Sequence, residues 1–151
     1  MRNSYELTLK NGKNDITVNF RLTFGGQIAL KKKFPKESDG KNGNEGALQI
    51  IFAAMDDAEV MVGVFTEALN FAGNENPITN GEELYDLLVD NGYKSSASFV
   101  PILTAIANVS GLITDKQKDV IDTMAQNRLD GANSVTVEDI AEDDEDGTKN
   151  A

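Results

Sequence analysis

The stretch Ala47-Leu-Gln-Ile-Ile-Phe-Ala-Ala-Met-Asp-Asp-Ala-Glu-Val-Met-Val-Gly-Val-Phe-Thr-Glu-Ala-Leu-Asn-Phe71 decides how the rest of the chain is read. Leu48, Ile51, Phe52 and Met55 recur at i, i+3, i+4 and i+7, and Met61, Val64, Phe65, Ala68 and Leu69 repeat the spacing. That is one face of a helix. Asp56, Asp57 and Glu59 fall between the two runs, so the spacing predicts two stacked helices or one long helix with a polar waist. Nothing in the stretch looks catalytic. Its apolar face is a candidate for a partner, with Met61 and Phe65 as the residues to touch it.

Upstream, Tyr5, Leu7 and Leu9 alternate with Glu6, Thr8 and Lys10, and Ile16, Val18, Phe20, Leu22 and Phe24 alternate again. Asn11-Gly12-Lys13-Asn14 between them is turn chemistry, so this is a β-hairpin. Gly25-Gly26 is expected to end the second strand. Gln27–Phe34 reads as a short helix stopped at Pro35, because a residue before proline disfavours the α region. Lys31, Lys32, Lys33 and Lys36 crowd its end. The plain reading is that they complement the helix dipole; the sharper one is a docking patch for an acidic partner or for the chain's own tail. Glu37–Gly46 reads as a surface loop. It fails as a calcium loop, since Lys41 and Gly43 fall where oxygen ligands are needed.

Downstream, Thr79-Asn80-Gly81-Glu82 fits a capping box, Leu84, Leu87 and Leu88 form a buried face, and Asn91-Gly92 closes the helix. Glu82, Asp86 and Asp90 lie four apart beside Glu83. That stripe is either a solvated face or an acidic surface for a partner. Ser98 is expected to cap the next helix, with Pro101 in its first turn and Phe99, Ile102, Leu103, Ile106 and Val109 as its stripe; Gly111 ends it. Thr114–Gln117 is a second capping box, followed by Val120, Ile121, Met124 and Ala125 on one face, with Asp130-Gly131 as terminator. Ser134–Val137 reads as a brief extended segment. Glu138–Asp146 holds seven acids and no aromatic, which predicts a disordered acidic tail.

These readings give an α+β, mostly α chain: an N-terminal antiparallel β-hairpin, then a bundle of five or six helices. One domain is expected over 1–135 and the tail over 136–151. The 151 residues carry a formal charge of −11 and contain neither histidine nor cysteine. Thiol and imidazole chemistry are therefore out, and the charge opposes nonspecific binding to nucleic acid. No phosphate loop, dinucleotide fingerprint, nucleophile elbow or zinc-protease motif is present, and Asp56/Asp57 and Glu82/Glu83 are adjacent, so they point apart on a helix. No catalytic residue, cofactor or metal site is expected. No run approaches the roughly 18 apolar residues of a membrane span, and the N-terminus lacks an apolar signal core, so a cytoplasmic protein with no membrane partner is expected.

The opening Tyr5-Glu-Leu-Thr-Leu-Lys-Asn-Gly-Lys, the strand ending Phe20-Arg-Leu-Thr-Phe-Gly, and a short helix through Leu30 resemble the tail assembly chaperones of long-tailed phages and prophages of Gram-positive bacteria. Ile51-Phe-Ala-Ala-Met and Asn80-Gly-Glu-Glu-Leu-Tyr-Asp-Leu-Leu-Val-Asp-Asn-Gly look like that family's middle helices. The similarity covers residues 4–125 as an order of elements, and the long Glu37–Gly46 loop departs from it. The resemblance implies a non-enzymatic factor of the infected host's cytoplasm that binds the tape measure protein, assists recruitment of tail tube subunits, self-associates, and is absent from the mature virion. Two other expectations stand beside it: an acidic decoy that occupies a nucleic-acid-binding protein, and a structural phage tail protein.

Overall fold

The alternating N-terminal residues pair as expected. In a computed structural model that describes residues 3–134, strands β1 (Tyr5–Asn11) and β2 (Asn14–Phe20) run antiparallel, with Leu7 opposite Val18 and Leu9 opposite Ile16. The two loop residues are Gly12 and Lys13, and Gly12 takes the positive φ (68°) that a tight hairpin loop requires. Six helices follow: α1 (Phe24–Lys33), α2 (Gly43–Ala54), α3 (Ala58–Leu69), α4 (Gly81–Asp90), α5 (Ser96–Val109) and α6 (Asp115–Ser134).

The polar waist resolves as a break. The Asp57 carboxylate accepts the N–H groups of Glu59 and Val60 at 3.0 and 3.4 Å and so caps α3, which keeps α2 and α3 separate. Such caps are worth about 1 kcal/mol. The hairpin lies against α3, α4 and α5, and α3 is the hub, packing on α1, α2, α4 and β2. Val18 and Phe20 from β2, Ile50 and Ile51 from α2, Val64 and Phe65 from α3, Leu84 and Leu88 from α4, and Leu103 and Ile106 from α5 share one core. Phe20 sits between Tyr5 (5.8 Å between ring centroids) and Phe65 (6.1 Å), which ties the hairpin to the hub.

Several boundaries differ from expectation, each for a local reason. The second strand stops at Phe20, not at the glycines. The Thr23 hydroxyl accepts the Gly26 N–H at 3.2 Å, so α1 starts at Phe24 and that ring is 70% exposed instead of facing inward. The loop expected to reach Gly46 ends earlier, since α2 begins at Gly43 and buries Gly46 and Ala47. The cap of α4 is Asn80 rather than Thr79: its amide oxygen accepts from the N–H groups of Glu82 and Glu83 at 2.8 and 3.0 Å. Gly81 fixes this register. A Cβ there would lie 2.1 Å from the Val62 carbonyl oxygen, so only glycine lets α4 start against α3. Helix α5 is capped at Ser95, with Ser98 at the third helical position accepting the Ser95 N–H at 3.3 Å. Pro101 therefore sits in the second turn, where it withholds the N–H that the Ala97 carbonyl would accept.

The second capping box forms as read. Thr114 Oγ1 accepts the Gln117 N–H at 3.1 Å, and Gln117 Oε1 accepts the Thr114 N–H at 2.9 Å. Asp130-Gly131 does not end α6, which runs to Ser134 with a Gln126–Asp130 side-chain hydrogen bond of 2.9 Å bracing its last turns. Ser134 is thus helical rather than extended; the rest of the expected extended segment and the acidic tail lie outside the described residues. No helix among the described residues is long and apolar enough to cross a membrane.

Candidate functional site

Helix α6 has a polar sequence broken by Val120, Ile121, Met124, Ala125 and Leu129. It packs chiefly on α5, where Ala125 meets Ala97 and Val100 in a small cluster separate from the main core. Its attachment is partly polar. The buried Thr104 hydroxyl of α5 donates to Asp122 Oδ1 at 2.6 Å, and Lys118, one turn before Asp122, pairs with the other carboxylate oxygen. Asn108 also donates to Asp115 at 2.9 Å, near the start of α6.

Because α2 and α6 both pack on α5, a trough of about 490 Å³ is left between them. Phe52 and Met55 form one wall, Ile121 and Met124 the other, and Val100 lies between, with Arg128 at the end of α6's wall. Met124 is 63% exposed and Val120, one turn earlier on α6, is 53% exposed. Large apolar side chains left in water beside an apolar trough are the surface signature of a binding groove.

The residues expected to bind a partner fall into three places. Met61 and Phe65 are 3% and 0% exposed, inside the core. They cannot offer surface to a partner, and that expectation is corrected: the face of α3 that carries them is filled by Phe20 and its neighbours. Lys31, Lys32, Lys33 and Lys36 line the end of α1 and the turn after it. Lys31 is half-buried and the other three are exposed, and none has an ion-pair partner among the described residues. Glu82, Asp86 and Asp90 are exposed along α4 beside Glu83. Lys33 and Glu82 line opposite sides of a shallow trough across α3, floored by Phe34, Val62 and Gly63. Of the two sets only Lys33 and Glu82 share a lining: Lys31 and Lys32 border a separate trough with Pro35 and Lys41, and Asp86 and Asp90 border one beside Asn11 and Ile78. Exposed charges of this kind are screened beyond about 8 Å at physiological salt.

Among the described residues no group of three or more acids gathers in a way that could hold a metal ion. The carboxylate pair Asp56/Asp57 is divided by role, since Asp57 is committed to capping α3. Tyr5 has its phenol pushed up from the usual 10.0, first by burial, then by the neighbouring Tyr93 and Asp122. Sequence reading missed the groove itself, because its walls come from three helices and its residues span positions 52 to 128. One signal was present: Val120 and Met124 are apolar positions on an otherwise polar helix. Comparison with known proteins finds no matching family model, no matching curated protein and no matching solved structure.

Proposed function

We propose that this protein is a non-enzymatic tail assembly chaperone of a long-tailed phage or prophage, and that the groove between α2, α5 and α6 takes an apolar helical segment of the tape measure protein. The observation that carries the reading is the open apolar trough with Met124 exposed on its rim. A helical partner docks into such a groove through side chains at i, i+3, i+4 and i+7. Burying one methionine-sized side chain contributes about 1.5–3 kcal/mol, so a few anchors suffice for a reversible complex. The resemblance of residues 4–125 to the chaperone family supports the same role. The formal charge of −11 suits a coat that keeps a long, sticky chain in solution.

In this reading the protein acts in the cytoplasm of the infected host, self-associates on the tape measure protein, assists recruitment of tail tube protein, and leaves before the virion is finished. The decoy reading is the weaker one, since Lys33 faces Glu82 across one trough and interrupts the acidic surface a nucleic-acid mimic would need. Co-expression with a tape measure protein of a long-tailed phage is the test. The reading expects the tape measure protein to stay soluble with this protein and to precipitate without it or with Met124→Glu. Detection of the protein by mass spectrometry in purified particles would favour a structural tail component instead.

A further inference from the structure

We propose that Phe24 of one copy seats in the α2/α5/α6 groove of another, so that the free protein associates head to tail. The contact between copies stands on its own two surfaces. Only its displacement rests on the groove reading above, since a tape measure segment and a neighbour's ring would compete for one trough.

The ring is held outward by local structure. The Thr23 hydroxyl caps α1, so Phe24 is its first residue and stands 70% exposed. Gly25 and Gly26 follow it. A Cβ on Gly25 would meet nothing closer than the Thr23 hydroxyl at 3.9 Å, chain neighbours aside, so the surface beside the ring is open. The groove in turn suits a ring. A cavity of about 150 Å³ lined by apolar side chains admits benzene, and the trough measures about 490 Å³. Its walls carry Phe52, Met55 and Met124, and ring–ring and sulfur–ring contacts favour an aromatic guest. Helix α1 packs on α2 and α3, and Phe24 does not line its own chain's groove. The ring that enters the trough therefore comes from a second copy.

Charge agrees with that pairing. Among the described residues Arg128 is the one charged side chain lining the groove, and it has no ion-pair partner there. Near the ring stands Glu67 of α3, whose carbonyl oxygen lies 4.0 Å from where a Cβ on Gly26 would be. Glu67 is also without an ion-pair partner among the described residues. Arg21, three residues before the ring, is turned to the carbonyls of Asn3 and Val109 at 2.8 and 3.4 Å, so it does not cancel that acid. An apolar knob beside an acid thus meets an apolar hole beside a base. Knob and hole belong to different elements, so the contact is heterologous: each terminal copy keeps one surface free, and further copies can add.

The test uses the full chain without any tape measure protein, so it fails separately from the chaperone reading. Sedimentation velocity over a concentration series is run on the parent, on Phe24→Asp, on Met124→Glu, and on an equimolar mixture of the two variants. Both positions are exposed, so both variants should keep the parent's circular dichroism. The parent is expected to grow in mass with concentration, through species larger than two copies. Each variant alone should associate at least about tenfold more weakly, the loss of one buried anchor. The mixture should recover association and stop at two copies, because Met124→Glu keeps the ring and Phe24→Asp keeps the groove. A parent that stays monomeric at every concentration overturns the proposal, as does parent-like association of either variant. A mixture as weak as its components overturns it too, since the two surfaces would then not meet each other.

Discussion

Asn91 grips the backbone of Lys10 with both ends of its amide: Oδ1 accepts the Lys10 N–H at 2.9 Å and Nδ2 donates to the Lys10 carbonyl at 3.0 Å. Asn76 does the same to Asn19, at 2.7 and 2.8 Å. Both strands of a two-stranded hairpin are edges, and unpaired edge groups recruit other strands. Here each edge is occupied by a side-chain amide that imitates a neighbouring strand, Asn91 on β1 and Asn76 on β2.

Asn91→Ala removes both bonds to Lys10, along with one to the Leu87 carbonyl. With a net value near 1 kcal/mol per hydrogen bond, the three bonds together predict a loss of about 3 kcal/mol in chemical denaturation. Asn91→Asp keeps an acceptor for the Lys10 N–H but sets a negative charge against the Lys10 and Leu87 carbonyl oxygens, so it should also destabilise. A variant of unchanged stability would show the clamp to be incidental.

Gly81→Ala should destabilise in spite of alanine's better helix propensity. Propensity favours alanine by about 1 kcal/mol, but the new Cβ would sit 2.1 Å from the Val62 carbonyl oxygen and 2.5 Å from Thr66 Oγ1. Moving α4 off α3 also strains the 2.9 Å bond from the Gly81 N–H to Thr66. A net loss of about 2 kcal/mol is expected in thermal or urea unfolding. A neutral or stabilised variant would contradict the close approach of the two helices.

Thr104→Val keeps the shape of the buried side chain and removes the hydroxyl that donates to Asp122. Hydrogen bonds to charged groups contribute about 1.5–3 kcal/mol, and this one is among the contacts that hold α6 on α5, beside the Asn108–Asp115 bond. The expected signature is local: amide exchange in α6 accelerates while α3 and the hairpin stay protected. Uniform acceleration across the domain would show that α6 is not separately attached.

Tyr5 supplies a pH dependence with a definite sign. Its native phenol ionises above the usual 10.0 because burial penalises the charged form. A raised native value means that its contribution is fully present below pH 10.0 and is lost as pH rises through the native value, since the unfolded chain releases its proton first. Tyr5→Phe should therefore flatten part of the alkaline fall in stability and leave the neutral region's slope unchanged. An identical alkaline slope in both proteins would contradict the burial of the phenol.

The hairpin and the helical segments were legible because alternation and i, i+3, i+4 spacing report burial directly, while the division of 47–71 into α2 and α3 was left open and is settled by the Asp57 cap. The caps of α4 and α5 were displaced by one and three residues for a physical reason. Thr79 and Asn80, or Ser95 and Ser98, offer rival acceptors, and the choice is made by what the helix start must dock against. Phe24 continued the strand's alternation in sequence, yet Thr23 ends that alternation by capping a helix. Met61 and Phe65 show a deeper limit. A one-sided apolar helix looks the same whether its face meets its own hairpin or a partner. The groove was illegible for the converse reason, since Phe52, Val100 and Met124 become neighbours only once α2 and α6 have both docked on α5. The asparagine clamps carried no signal, because Asn91 reads as a helix terminator and Asn76 as a loop residue.

The most direct test of the groove's role is a calorimetric titration of a tape measure fragment into the parent chain, Met124→Glu, and the double variant Glu82→Lys/Asp86→Lys. Met124 is mostly exposed, so its replacement should leave the fold intact, as circular dichroism would verify. Binding through the groove predicts at least about a tenfold loss of affinity for Met124→Glu, the equivalent of 1.4 kcal/mol, and little change for the α4 variant. Parent-like binding by Met124→Glu, or no binding by the parent chain, would contradict the account.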